Sequence, residues 1–116
     1  MTPSPTPDMQ ECIRACLACH AVCLQTAMQH CLPMGGRHVE PRHLRLMLNC
    51  AEICQTSANF MLSDSDLHAV TCGACATVCE ACAQSCEDIG GMDACVTACR
   101  SCAQACQAMS GRREAG

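Results

Sequence analysis

Sixteen of the 116 residues are Cys, and their spacing repeats. Cys12-x3-Cys16-x2-Cys19-x3-Cys23 recurs near the end of the chain as Cys95-x3-Cys99-x2-Cys102-x3-Cys106. Between them run Cys72-x2-Cys75-x3-Cys79-x2-Cys82-x3-Cys86 and the shorter Cys50-x3-Cys54. At about 100° per residue, each four-Cys run falls within roughly 60° of one helix face, and the five-Cys run spans roughly 80° over about 21 Å. Spacings of three and four are those of the inward seam of a helix bundle. Cys31 is the exception, about 100° off the first seam in a regular α-helix.

Other soft donors extend these stripes. His43, Met47, Cys50, Cys54 and Met61 share one face of the second helical segment, with Ser57 in the gap. His30 is in line with the first Cys stripe, and His68 stands one turn before Cys72 on its face. His20 lies about 80° off the stripe and reads as structural or exposed. His38 falls in a loop and reads as a surface residue.

Sixteen Cys in a secreted chain would suggest disulfides, but in a reducing compartment they suggest metal. Residues at i and i+4 hold their Cβ atoms roughly 5–6 Å apart, so a Cys-x3-Cys pair can bring two sulfurs to one ion. Copper(I) is soft and prefers thiolate and thioether ligands. Zinc wants four ligands in a tetrahedron, usually offered by knuckles and hairpins rather than by straight helical stripes. Charge sets the expected load. One copper(I) on two private thiolates leaves a negative charge in a dry core, whereas shared thiolates at matched counts leave none. Neutrality therefore predicts on the order of one copper per Cys, about 15–20 ions. Without metal the thiols should be protonated and pack as small apolar groups, so the apo chain should fold. Two other readings stay open: an iron–sulfur electron-transfer or redox protein, and a zinc or cadmium buffer resembling metallothionein. No Ser/His/Asp grouping, phosphate loop or catalytic carboxylate pair is visible, so an enzyme is not expected.

The elements that must position these groups are helices. The chain has no Trp or Tyr, one Phe and eight Met, and apolar residues make up half of it. Cys is the obvious filler for a core short of large aliphatics. Asp8 and Glu11 resemble a capping box opening a first helix that runs to about Leu32, where Pro33-Met34-Gly35-Gly36 stops it. Pro41 suits the first turn of a second helix reaching about Leu62. Ser63-Asp64-Ser65-Asp66 supplies turn and cap chemistry for a third, ending near Asp88. Gly90-Gly91 breaks it from a fourth, Met92 to Ser110. Short connections predict an all-α, antiparallel up-down-up-down four-helix bundle with a Cys-lined core. Residues 1–7 read as a disordered tail and 8–116 as one domain.

The formal charge is −4 with no basic stripe, so nucleic acid is not an expected partner. No run of eighteen apolar residues predicts a membrane span. The opening MTPSPTPDMQ has neither a basic nor an apolar region of an export signal, which predicts a cytoplasmic chain.

The segment from Met9 to Met109 resembles the cytosolic branch of the copper-storage proteins, cysteine-rich four-helix bundles. The resemblance is carried by MQECIRACLACHAVC, CLPMGGRH, HLRLMLNCAEICQTSANFML and the two long Cys repeats. It implies copper(I) held by thiolates inside the bundle and a homotetramer; a copper chaperone or chelator is the expected exchange partner of such a store. It also implies copper admission at an open end bearing His and Met. The helix order collects His30, Cys31, Met34, His38, His43, Met47, Cys86, Met92 and Cys95 at one end, which is the favoured port. Met9, Cys12, Met61, His68, Cys72, Cys106 and Met109 mark the other.

Overall fold

The computed structural model describes residues 7–111. Residues 1–6 of the expected tail and the residues after Gly111 lie outside that range. The chain forms four long helices: α1 (Pro7–Thr26), α2 (Pro41–Leu62), α3 (His68–Ile89) and α4 (Asp93–Gly111). Each packs on its neighbour in sequence, and α4 closes the square against α1. The result is the expected up-down-up-down bundle.

Helix ends follow local chemistry. α1 starts at Pro7, so Asp8 lies inside its first turn, where a carboxylate favours the helix dipole. Pro41 opens α2 behind Glu40, whose ψ of 137° is extended. Before α3 the expected turn forms, with Asp64 at φ 59° and the Leu67 amide donating to Ser65 Oγ at 3.0 Å. Between α3 and α4 the break needs two left-handed residues in succession. Gly90 and Gly91 supply them at φ 87° and 81°, and the Gly90 amide closes the helix on the Cys86 carbonyl at 2.9 Å.

The end of α1 departs from the expected regular helix. The chain widens into a π-helical turn over Ala27–Cys31 and then resumes one α-turn, Leu32–Met34. The Leu32 amide reaches back to the Ala27 carbonyl, five residues earlier. The wider turn makes room for Pro33, whose ring would otherwise press on the carbonyl four residues before it. A π-turn absorbs one residue, so everything after it is set back by about 100°. That rotation decides which of two neighbouring ligands faces the core.

Sulfur fills the interior. All sixteen Cys are buried, none more than 1% exposed. Ala27, Ala58, Ala83 and Ala103 fill the spaces between stripes. The large aliphatics are displaced outward: Leu17, Leu24 and Leu48 are each more than a third exposed, and Leu44 and Phe60 are half-buried.

Candidate metal centre

The stripes meet as one net of sulfur. The α1 and α4 repeats run antiparallel and mesh in order. Cys12 lies 3.6 Å from Cys106, Cys16 lies 3.5 Å from Cys106 and 3.6 Å from Cys102, and Cys23 lies 3.4 Å from Cys99 and 3.5 Å from Cys95. α2 and α3 mesh the same way: Cys50–Cys79 and Cys54–Cys79 are each 3.6 Å, and Cys54–Cys75 is 3.7 Å. Cys19–Cys50 at 3.7 Å and Cys54–Cys102 at 3.8 Å tie the two halves together. All sixteen are free thiols. Several sets of four, drawn from different helices, hold their sulfurs within 4.8 Å of one another.

Neutral donors close this net at one end. Met47 Sδ accepts from the thiols of Cys82 at 3.5 Å and Cys86 at 3.4 Å, with Cys95 at 3.9 Å. Cys31 Sγ lies 3.6 Å from His43 Nε2 and 3.6 Å from Met92 Sδ. His43 is buried, and its Nδ1 shares a 2.8 Å hydrogen bond with Ser85 Oγ, which aims Nε2 at the thiol. Burial, then the charge of His38, holds this ring below its ordinary 6.5, so it is neutral at pH 7 and its nitrogen is free to ligate.

The π-turn changes the placement that α-helical counting gives two candidate ligands at the α1 end. Cys31, placed off the seam by α-helical counting, is fully buried among His43 and Met92. His30, placed in line with the stripe, is turned aside and stacks edge-on against His38 with ring centroids 5.1 Å apart. The Nε2 atoms of His30 and His38 are both buried and have no hydrogen-bond partner. His38 is therefore more than the surface residue its loop position suggested. Met34 is 61% exposed and lies outside the site.

At the other end, His68 is half-buried and its Nδ1 bonds to the Ser65 carbonyl at 2.8 Å. Ser57 takes the place of a thiol in the α2 stripe, its Oγ 3.3 Å from Cys72 Sγ. Met61 and Met109 are buried there. His20 is structural as expected, bonded through Nδ1 to the Ala51 carbonyl at 2.7 Å. Ser85 was missed, and only its spacing of one turn from Cys82 and proximity to Cys86 could have drawn attention to it.

The protons are shared across the net. Burial pushes the Cys31 thiol up, and charge on Cys95 or Cys82 adds to that. Hydrogen bonding with Cys82, then Cys95, together with burial, pushes Cys86 up. Cys95 moves down because Cys23, then Cys82 and Cys86, donate to its sulfur once it ionises. Among the described residues the buried polar side chains are His43 and Ser57, so no cation stands ready to neutralise thiolates. A soft monovalent ion supplies that charge and suits thiolate, thioether and imidazole together.

The copper storage protein family matches residues 6–111 of the chain. A crystal structure of a protein from Nitrosospira multiformis is 57% identical, with TM-score 0.88, over 90% of this chain and 95% of that one. The copper(I)-bound copper storage protein of Bacillus subtilis is 32% identical, with TM-score 0.82, over 89% of this chain and 98% of its own. A cytosolic copper storage protein from Streptomyces lividans, solved with five coppers, is 31% identical, with TM-score 0.74, over 90% and 92%. No protein of curated function matches. A thiol-filled four-helix bundle and a family match across the whole of it lead to one conclusion: the chain belongs to the copper storage protein family.

Proposed function

We propose that this chain is a reversible, non-enzymatic cytoplasmic store for copper(I), held by the sixteen Cys thiolates with His43 and Met47 as further ligands. The observation that carries this reading is that every thiol of the chain lies buried in one connected channel, into which no cation among the described residues is buried. The copper(I)-bound relative from Bacillus subtilis and the five-copper relative from Streptomyces lividans support the cargo. The load is about one copper per Cys, about 15–20 ions, by the neutrality argument.

Copper is admitted at the end bearing His30, His38, His43 and Met92. The two partnerless buried imidazole nitrogens of His30 and His38 support this port. Imidazole is a borderline donor that holds copper(I) more weakly than thiolate, which suits transfer inward through His43 to Cys31. His68 serves at most as a ligand at the opposite end. Exchange with a copper chaperone or chelator takes place at the His end. The chain works as a homotetramer, in which Leu17 and Leu24 of α1 and Met28 of the π-turn, each 38–40% exposed, are covered.

The test is an anaerobic titration of the reduced protein with copper(I) against a strong chelator, followed by a metal count. Uptake of about 15–20 ions per chain is expected. Saturation at one or two ions overturns the storage role.

A further inference from the structure

The sulfur net contains three sets of four thiols that share no member: Cys16, Cys75, Cys102 and Cys106; Cys19, Cys50, Cys54 and Cys79; and Cys23, Cys82, Cys95 and Cys99. Each draws on three helices. In every set the four sulfurs lie within 4.8 Å of one another. A tetrahedral ion with bonds of about 2.3 Å needs sulfurs about 3.8 Å apart. The first set offers 3.5, 3.6, 3.9 and 4.0 Å. The second offers 3.7, 3.6 and 3.6 Å. The third offers 3.5 and 3.4 Å. These are cages of a size that a divalent thiophilic ion such as cadmium or zinc accepts. Ligand geometry therefore does not select copper(I).

Charge does. A divalent ion on four thiolates leaves two negative charges uncompensated. In a zinc site built on turns, backbone amides donate to the sulfurs. Here the cage thiols stand on helices whose amides are committed to the helical ladder. No buried side chain among the described residues is a cation, and the two buried polar groups serve other thiols: His43 faces Cys31 and Ser57 faces Cys72. The cages also touch. Cys54 of the middle set lies 3.7 Å from Cys75 and 3.8 Å from Cys102 of the first. Cys19 and Cys50 of the middle set lie 3.8 and 3.7 Å from Cys23 of the third. Two filled neighbours would bring four like charges into contact in a dry core. A monovalent ion matched one to one with thiolate meets no such barrier.

We propose that the channel discriminates between soft metal ions by charge, so that divalent ions never occupy neighbouring cages and fill one or two of the three, while monovalent ions fill the whole net. This rests on the channel being an ion store, and the experiment separates the two ideas. The reduced, full-length protein is titrated anaerobically in parallel with copper(I) and with cadmium chloride. Both arms are followed by the ultraviolet thiolate-to-metal absorption and by native mass spectrometry. Copper(I) is expected to continue to about one per thiol, while cadmium stops at one or two ions per chain. A third tightly bound cadmium overturns selection by charge and leaves the store standing. Absence of any bound cadmium also overturns it, because the cages would then fail on geometry. Copper(I) stopping at one or two ions removes the store and this inference with it. Cys50→Ala opens the middle cage. It is expected to leave the cadmium count unchanged while lowering the copper count by about one, and a fall in cadmium capacity overturns the proposal. Helical circular dichroism of the variant confirms its fold, and the wild-type arms stand without it.

Discussion

Limiting copper(I) to half the thiol count tests whether ions share thiolates from the start. If each ion took two private thiolates, the sixteen Cys would be exhausted at about eight ions, each site carrying one negative charge. Neighbouring ions on a seam lie about one helical turn apart, about 5.4 Å. At an effective dielectric of about 20, two such sites repel by about 3 kcal/mol, or a factor of about 200 in affinity. Sulfur contacts of 3.4–3.8 Å across helices make sharing geometrically immediate. Shared thiolates remove that repulsion, so uptake should run past the halfway point without a step. Protons report the same difference. The apo thiols are largely protonated, so shared filling releases about one proton per copper throughout, whereas private pairs release about two per copper and then almost none. The assay is an anaerobic copper(I) titration in a pH-stat, with native mass spectrometry of half-loaded samples. A plateau at about eight ions, with proton release of two per copper up to it, would refute the neutrality argument.

Three further outcomes follow from named contacts. Ser57→Cys replaces an oxygen 3.3 Å from Cys72 Sγ by a thiol in the seam, and should raise the copper count by about one in native mass spectra. Cys31→Ser should lower the count by about one, whereas His30→Ala should leave it unchanged and slow uptake in stopped-flow measurements, because the π-turn sets Cys31 inward and His30 aside. Stability of the apo bundle to urea should be greatest between about pH 6.5 and 9.0. Below 6.5 the unfolded chain binds a proton that the depressed His43 ring refuses, so stability falls with acidification. Above 9.0 the unfolded thiols ionise while Cys31, pushed up by burial, keeps its proton, so stability falls again. A maximum near pH 5 would contradict both assignments.

The Cys runs alone were enough to read the bundle and its sulfur core. Local spacing carries that information, because three- and four-residue steps place side chains on one helix face whatever the helix packs against. The Pro and Gly punctuation located the helix ends to within a few residues for the same reason. The two resemblances, of the α1 run to the α4 run and of both to the copper-storage proteins, were also legible in one dimension.

Phase after an irregular turn was not legible. Counting at α-helical pitch put His30 in the seam and Cys31 outside it. The π-turn at Ala27–Cys31, which accommodates Pro33, reversed the pair. Helix order gathered most of the port groups at one end, but their individual contacts were hidden. Ser85 on Nδ1 of His43, Met92 beside Cys31, and the orphaned nitrogens of His30 and His38 depend on which helices meet and at what height. The amino-acid sequence by itself determined that fifteen of the sixteen thiols would line helix faces, because that is a property of each helix alone. Only the tertiary structure decided which sulfurs share a cage and which imidazole nitrogens are left without a partner at the port, because distances between helices arise from packing and not from spacing along the chain.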